Sequence, residues 1–389
     1  MRILLIASRV PYPLHNGEDL RIFQLAKQLW SRHEIHLITY GDTGRLCPEI
    51  RDSFKQVYLL DEPIQAKTVR RTFRRIIIPF LPDQIYVFDT RIDALIRKLT
   101  DEQQFDWIWI PAWQMMPYAY GVSKTRVFLD VMDDGVLESI RETRRSKTIK
   151  QFVINVKRLL VTYMFEKKYF SRATICCLVT EADARFLRRV CSKANVVTIP
   201  NGVDCEYFRP LGLQEEYPSL VFEGNMGFGP SVDAICYFHS EIFPQIKKQI
   251  AGTKLWIVGK EPANEVQNLQ AEDVTVTGYV EDVRPYLDRA SVFVCPMRKG
   301  AGIKNKVLQA WAMGKPVVST TIALAGLDAK PGDNVVVADT PHQFAAQVVR
   351  LLKDQSLRKT VGERGMQTVH KHYGWRQQAE LLEATLEKN

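Results

Sequence analysis

Between Pro296 and Lys306 the chain gathers four cations, two glycines and a helix start in one short stretch. An apolar strand, Val292–Cys295, runs into a loop that holds Arg298, Lys299, Gly300, Gly302, Ile303, Lys304 and Lys306. The pattern predicts a helix from about Asn305 to Met313, ended by Gly314 with Pro316 just beyond. Glycines let backbone N–H groups approach a phosphate, and a helix N-terminus adds partial positive charge. Four cations around such a loop would neutralise a departing diphosphate. That chemistry makes Arg298, Lys304 and Lys306 candidate catalytic residues, with Gly300, Gly302, Ile303 and Asn305 as candidate contacts. A solvated basic turn is the plainer alternative.

A second group is acidic. Asp130, Asp133 and Asp134 close an apolar run, Val127–Val131. One carboxylate there could take a proton from an acceptor hydroxyl or steady a positively charged sugar centre. A Mg²⁺ site and a cap for the following helix are the other two readings. Asp133 is the candidate base. Nearer the N-terminus, His15, Asn16 and Gly17 stand between a first strand and a first helix; His15 is a candidate acceptor contact or a plain surface histidine.

These groups need elements to hold them. Short apolar, partly β-branched runs recur at Ile3–Ala7, Glu34–Thr39, Gln56–Leu60, Trp107–Ile110, Val127–Val131 and Ile175–Val179, with helix-length amphipathic stretches between them. The pattern restarts at Leu220–Glu223, Lys254–Val258, Val274–Thr277, Val292–Cys295, Pro316–Ser319 and Val335–Val337. That rhythm predicts two Rossmann-like α/β domains with parallel sheets facing a central cleft, over 1–199 and 200–374. Thr198–Asp204, with Pro200, Asn201 and Gly202, is the join.

Composition narrows the class. The 389 residues are 46% hydrophobic and 25% charged, ordinary for a globular chain with sizeable cores. No run of about 18 apolar residues exists, so no spanning helix is expected, and the opening Met1–Ser8 reads as a strand rather than a signal peptide. Seven scattered cysteines suit a reduced cytoplasm and imply neither a disulfide framework nor a zinc site. A net charge of +9 points to an anionic partner, either a nucleoside diphosphate or a lipid headgroup, since no nucleic-acid reader motif is present. Two basic stretches, Arg70–Phe80 and Lys150–Lys168, mix cations with apolar side chains; each suits an anionic membrane surface or a core-packed helix with a basic rim.

Gly302, Gln309, Ala310, Gly314 and Pro316 resemble the signature of glycosyltransferase family 4, retaining enzymes of GT-B architecture. Thr198–Asp204 with Phe208–Pro210 resembles that family's interdomain segment, and Leu255–Gly259, Val276–Asp282 and Tyr373–Trp375 match further elements in order. Phe222–Ala234, with Gly224 and Asn225, is similar to the exosortase-associated sugar transferases of exopolysaccharide loci. The resemblance implies transfer of a sugar from a nucleotide diphosphate sugar to a glycan or lipid-linked acceptor, with no cofactor and no metal. It implies that Gly278, Tyr279 and Val280 lie beside the base, that Gln309 bonds the ribose, and that Gly17 approaches the sugar. The helix 375–389 is expected to return to the N-terminal domain. Ala301 and Gln309 stand where the family carries paired glutamates, so a binder that has lost catalysis is the alternative function.

Overall fold

A computed structural model describes residues 1–14, 16–41, 46–61, 89–119, 122, 125–300 and 302–389. His15, Ala301 and the run Arg70–Phe80 lie outside the described residues. The chain divides into two compact units, Met1–Pro200 with Gln378–Asn389, and Asn201–Gln377.

The first unit is built on seven strands: β1 (Arg2–Ile6), β2 (Glu34–Tyr40), β3 (Gln56–Leu60), β4 (Trp107–Ile110), β5 (Arg126–Val131), β6 (Ile175–Leu178) and β7 (Val196–Thr198). All neighbours pair in parallel, in the order β3-β2-β1-β4-β5-β6-β7. A parallel sheet is covered on both faces, and so β4 and β6 are buried at every position instead of alternating. Thr198, read from sequence as the join, belongs to a seventh edge strand beside β6.

The second unit has six parallel strands: β8 (Ser219–Glu223), β9 (Lys254–Val258), β10 (Val274–Val276), β11 (Val292–Cys295), β12 (Val317–Ser319) and β13 (Val336–Val337), in the order β10-β9-β8-β11-β12-β13. Strand order reverses between β1 and β4 in one sheet and between β8 and β11 in the other. At such a reversal the following loops diverge and leave a crevice at the strand ends, where α/β sheets take their ligands.

The helix Asn305–Ala312 is held from behind. Trp311 is fully buried, and a Cβ on Gly365 of the helix Gln355–His372 would stand 2.5 Å from its Cδ1. The bare glycine backbone lets the two helices approach this closely.

Candidate functional site

In the second unit the loops after β8 and β11 meet at the reversal. Gly224 follows β8 with φ 147°, a conformation that side chains rarely adopt, and a Cβ there would stand 2.5 Å from Lys306 Nζ. Gly224 also presents its carbonyl so close to Gly259 that a side chain on Gly259 would overlap it. The two glycines thus let the β8 and β9 loops lie against each other. Lys306 projects from the first turn of Asn305–Ala312, with Nζ 3.4 Å from Ser231 Oγ and 4.2 Å from the Phe222 ring centroid. Burial lowers its pKa against the opposing pull of Glu223, and burial raises the Glu223 carboxyl against Lys306. This cation has one weak acid for company and an enclosed position under a glycine loop. An entering anion would gain strongly there.

The loop after β11 needs its glycines too. Gly300 and Gly302 adopt φ 114° and 65°. Lys304 precedes the helix and its Nζ donates to Gly302 O at 2.9 Å, so it braces the loop from within. Among the described residues no side chain caps the helix Asn305–Ala312. Asn305 accepts from Asn201 Nδ2 at 3.3 Å, which ties the Asn201–Gly202 turn to the helix start. Ile303 is buried beneath the loop, and Gln309 lies half-buried one turn further on.

Arg298 and Lys299 both reach Asp233, at 2.9 Å each, and Arg298 lies over the Tyr237 ring at 4.1 Å. Burial pulls the Asp233 carboxyl up, yet Lys299 and Arg298 hold it below its ordinary value. The sequence reading missed Asp233. Its only signal was an acid four residues after the helix start Gly229, inside the stretch Phe222–Ala234. Asn225 is engaged in its own loop, accepting from Gly227 N at 2.8 Å and donating to Glu261 at 3.0 Å. At the end of β10, Gly278 has φ 66°, Tyr279 is 75% exposed, and Val280 is half-buried.

The first unit sorts the three aspartates. Asp130 is buried and takes both its oxygens to Arg21 Nε at 3.0 Å. Asp134 caps the helix Gly135–Arg144 by accepting from Leu137 N at 2.7 Å. Asp133 lines a cavity of about 320 Å³, with Glu18, Trp113, Glu138, Arg158 and Thr162 around it. Burial pushes Glu18 up against the pull of Arg9, and Glu138 up against Arg158. Carboxyls, a guanidinium and a flat indole face suit a hydroxyl-rich molecule. Among the described residues no cluster of three His, Cys, Asp or Glu is arranged to hold a metal ion.

Gly17 is the first residue of the helix Gly17–Leu29, and Asn16 caps that helix, its side-chain oxygen accepting from Asp19 N at 3.0 Å, as its residue type and position favour.

Two family models match the chain: "Glycosyltransferase Family 4" over residues 16–207 and "Glycosyl transferases group 1" over residues 217–354. The chain is 21% identical to an uncharacterized 44.6 kDa protein in the cps region of Klebsiella pneumoniae, covering 96% of each. It is 30% identical over 140 residues to the lipopolysaccharide core biosynthesis glycosyltransferase LpsE of Rhizobium meliloti, covering 34% of this chain and 40% of that one. The chain therefore matches well under two thirds of LpsE. Among solved structures, Anabaena Alr3699/HepE in complex with UDP and glucose superposes with a TM-score of 0.69 at 12% identity, covering 100% of both chains. Both halves match glycosyltransferase models in chain order, on sheets of the same design, and this chain belongs to glycosyltransferase family 4 with the GT-B fold.

Proposed function

We propose that the chain is a retaining hexosyltransferase of cell-surface or exopolysaccharide synthesis, acting in the cytoplasm without a metal ion. It takes a sugar from a nucleotide diphosphate sugar and gives it to a glycan or lipid-linked acceptor. The observation that carries the donor half is Lys306 under Gly224, at the start of a helix that no described side chain caps. The bond from the anomeric carbon to the diphosphate oxygen breaks with its electron pair going to phosphate. Lys306, Lys304, Arg298 and the helix amides then stabilise the charge that a divalent cation would otherwise balance. The acceptor hydroxyl forms the new bond at carbon, and its proton goes to Asp133 in the cavity of the first unit. Gln309 serves the ribose, and the exposed Tyr279 with Gly278 and Val280 serves the base. A UDP donor is supported by the HepE complex, and a role in polysaccharide assembly by the likeness to LpsE.

Calorimetric titration with UDP and other nucleoside diphosphates, with and without EDTA, tests this. One nucleotide should bind equally well in chelator, and Lys306→Ala should weaken it by about 1–3 kcal/mol through a lost charge-assisted bond. Unchanged affinity in Lys306→Ala removes the diphosphate assignment. The matching nucleotide sugar should also be slowly hydrolysed without acceptor; binding with no release of nucleotide marks a protein that holds donors but does not transfer.

A further inference from the structure

The helix Ile149–Tyr169 in the first unit has an outer face of exposed apolar side chains that no other described residue buries. Asn155, Val161, Thr162, Phe165 and Glu166 turn inward and are buried. Ile149 is 85% exposed, Val153 60%, Leu160 53%, and Phe152, Ile154 and Met164 each 50%. The spacing of Ile149, Val153, Leu160 and Met164 follows the helical repeat, so these side chains make one stripe about 22 Å long. Scattered apolar side chains are ordinary on a surface, but a continuous stripe needs a partner.

The charges around the stripe identify that partner. Lys150, Lys157, Arg158, Lys167 and Lys168 all lie on this helix, and its single acid, Glu166, is buried beneath it. On the neighbouring helix Gly135–Arg144, the half-buried Glu142 is already paired with Arg158 at 2.8 Å. Lys167 stands 5.7 Å over the Tyr163 ring, a cation and an aromatic side by side at one end of the stripe. Apolar side chains flanked by lysines match the boundary between lipid tails and anionic headgroups, where stems bury and ammonium groups reach phosphate. Among the described residues no helix is long and apolar enough to cross a membrane.

We propose that this outer face of Ile149–Tyr169 lies flat on an anionic lipid surface, with Val153 and Leu160 in the acyl boundary and Lys150 and Lys157 on headgroups. The contact is independent of donor binding, and its failure leaves the glycosyltransferase reading untouched. The full chain is sedimented with vesicles of phosphatidylcholine alone or mixed with phosphatidylglycerol, in low and high salt. Binding should require phosphatidylglycerol and fade in high salt. Val153→Ser with Leu160→Ser, and separately Lys150→Glu with Lys157→Glu, should each lose about tenfold or more in vesicle affinity. Because these positions are exposed, melting curves and nucleotide affinity should stay as in the parent protein. No binding to mixed vesicles, or equal binding by both variants, overturns the proposal. So does light scattering that shows a dimer in the parent protein and a monomer in the serine variant, since the stripe would then be a contact between copies of the chain.

Discussion

Glu166 lies behind the cavity of the first unit, 1% exposed, with Oε1 accepting from Val136 N at 3.2 Å. Its other oxygen has no hydrogen-bond partner among the described residues, and neither has Asp134 Oδ2. Burial pushes the Glu166 carboxyl up, and the charge of Asp134 pushes it further in the same direction. The folded chain therefore keeps a proton that the unfolded chain gives up above its ordinary value of 4.5. A folded form that binds more protons than the unfolded one loses stability as pH rises. The contribution is whole below that ordinary value and is lost progressively up to the raised one, at up to about 1.4 kcal/mol per pH unit. Glu166→Gln removes the titration while keeping an oxygen for Val136. The parent protein should lose melting temperature between mildly acidic and mildly basic buffer, and Glu166→Gln should lose distinctly less. Equal slopes in thermal melts would show that Glu166 ionises freely in the fold. The same neighbourhood shows why Asp130, Asp133 and Asp134 looked alike in sequence. Asp130 is settled by Arg21, 109 positions away, and only Asp134 sits at a local capping distance from its partner Leu137.

At the scale of elements, the donor-side helix Asn305–Ala312 depends on the glycines of the helix behind it. Ala normally raises helix stability over Gly by about 1 kcal/mol. At Gly365 a Cβ would meet three atoms of the buried Trp311 ring at 2.5–3.0 Å, and a rigid indole cannot yield. The clash should win, so Gly365→Ala is expected to cost a net 1–3 kcal/mol or so and to weaken nucleotide binding by shifting Lys306. A raised melting temperature with unchanged affinity would show that the helices have room to spare. The strands were legible because parallel strands are apolar throughout, and Gln56–Leu60, Trp107–Ile110 and Lys254–Val258 match the reading to the residue. Gly300, Gly302 and the helix after them were legible from local spacing. What spacing could not carry was pairing between distant segments. Lys306 under Gly224, Asp233 facing Arg298 and Lys299, and the capping use of Asn16 all depend on where whole loops come to rest.

At the scale of the whole molecule, the last helix, Trp375–Lys388, starts within the second unit, while Gln378–Asn389 belong with the first. Its first residue is seated locally: a side chain on Gly202 would strike the Trp375 ring at 2.7 Å. Further along, Ala379, Leu382 and Leu386 form a stripe at helical spacing with exposures of 0%, 0% and 2%. Glu383 beside them bonds Arg32 and His33, each at 2.7 Å. These contacts make the C-terminal residues part of the first unit's core, and a chain with two cores need not melt in one step. Leu382→Ala should cost the first unit about 2–5 kcal/mol, the usual range for an emptied leucine site. Nucleotide raises the stability only of the unit that binds it. In scanning calorimetry, the nucleotide identified by titration should raise one transition, and Leu382→Ala should lower the other, with nucleotide affinity unchanged. If the leucine substitution and the nucleotide instead move a single shared transition, the two units unfold as one body and the last helix couples them.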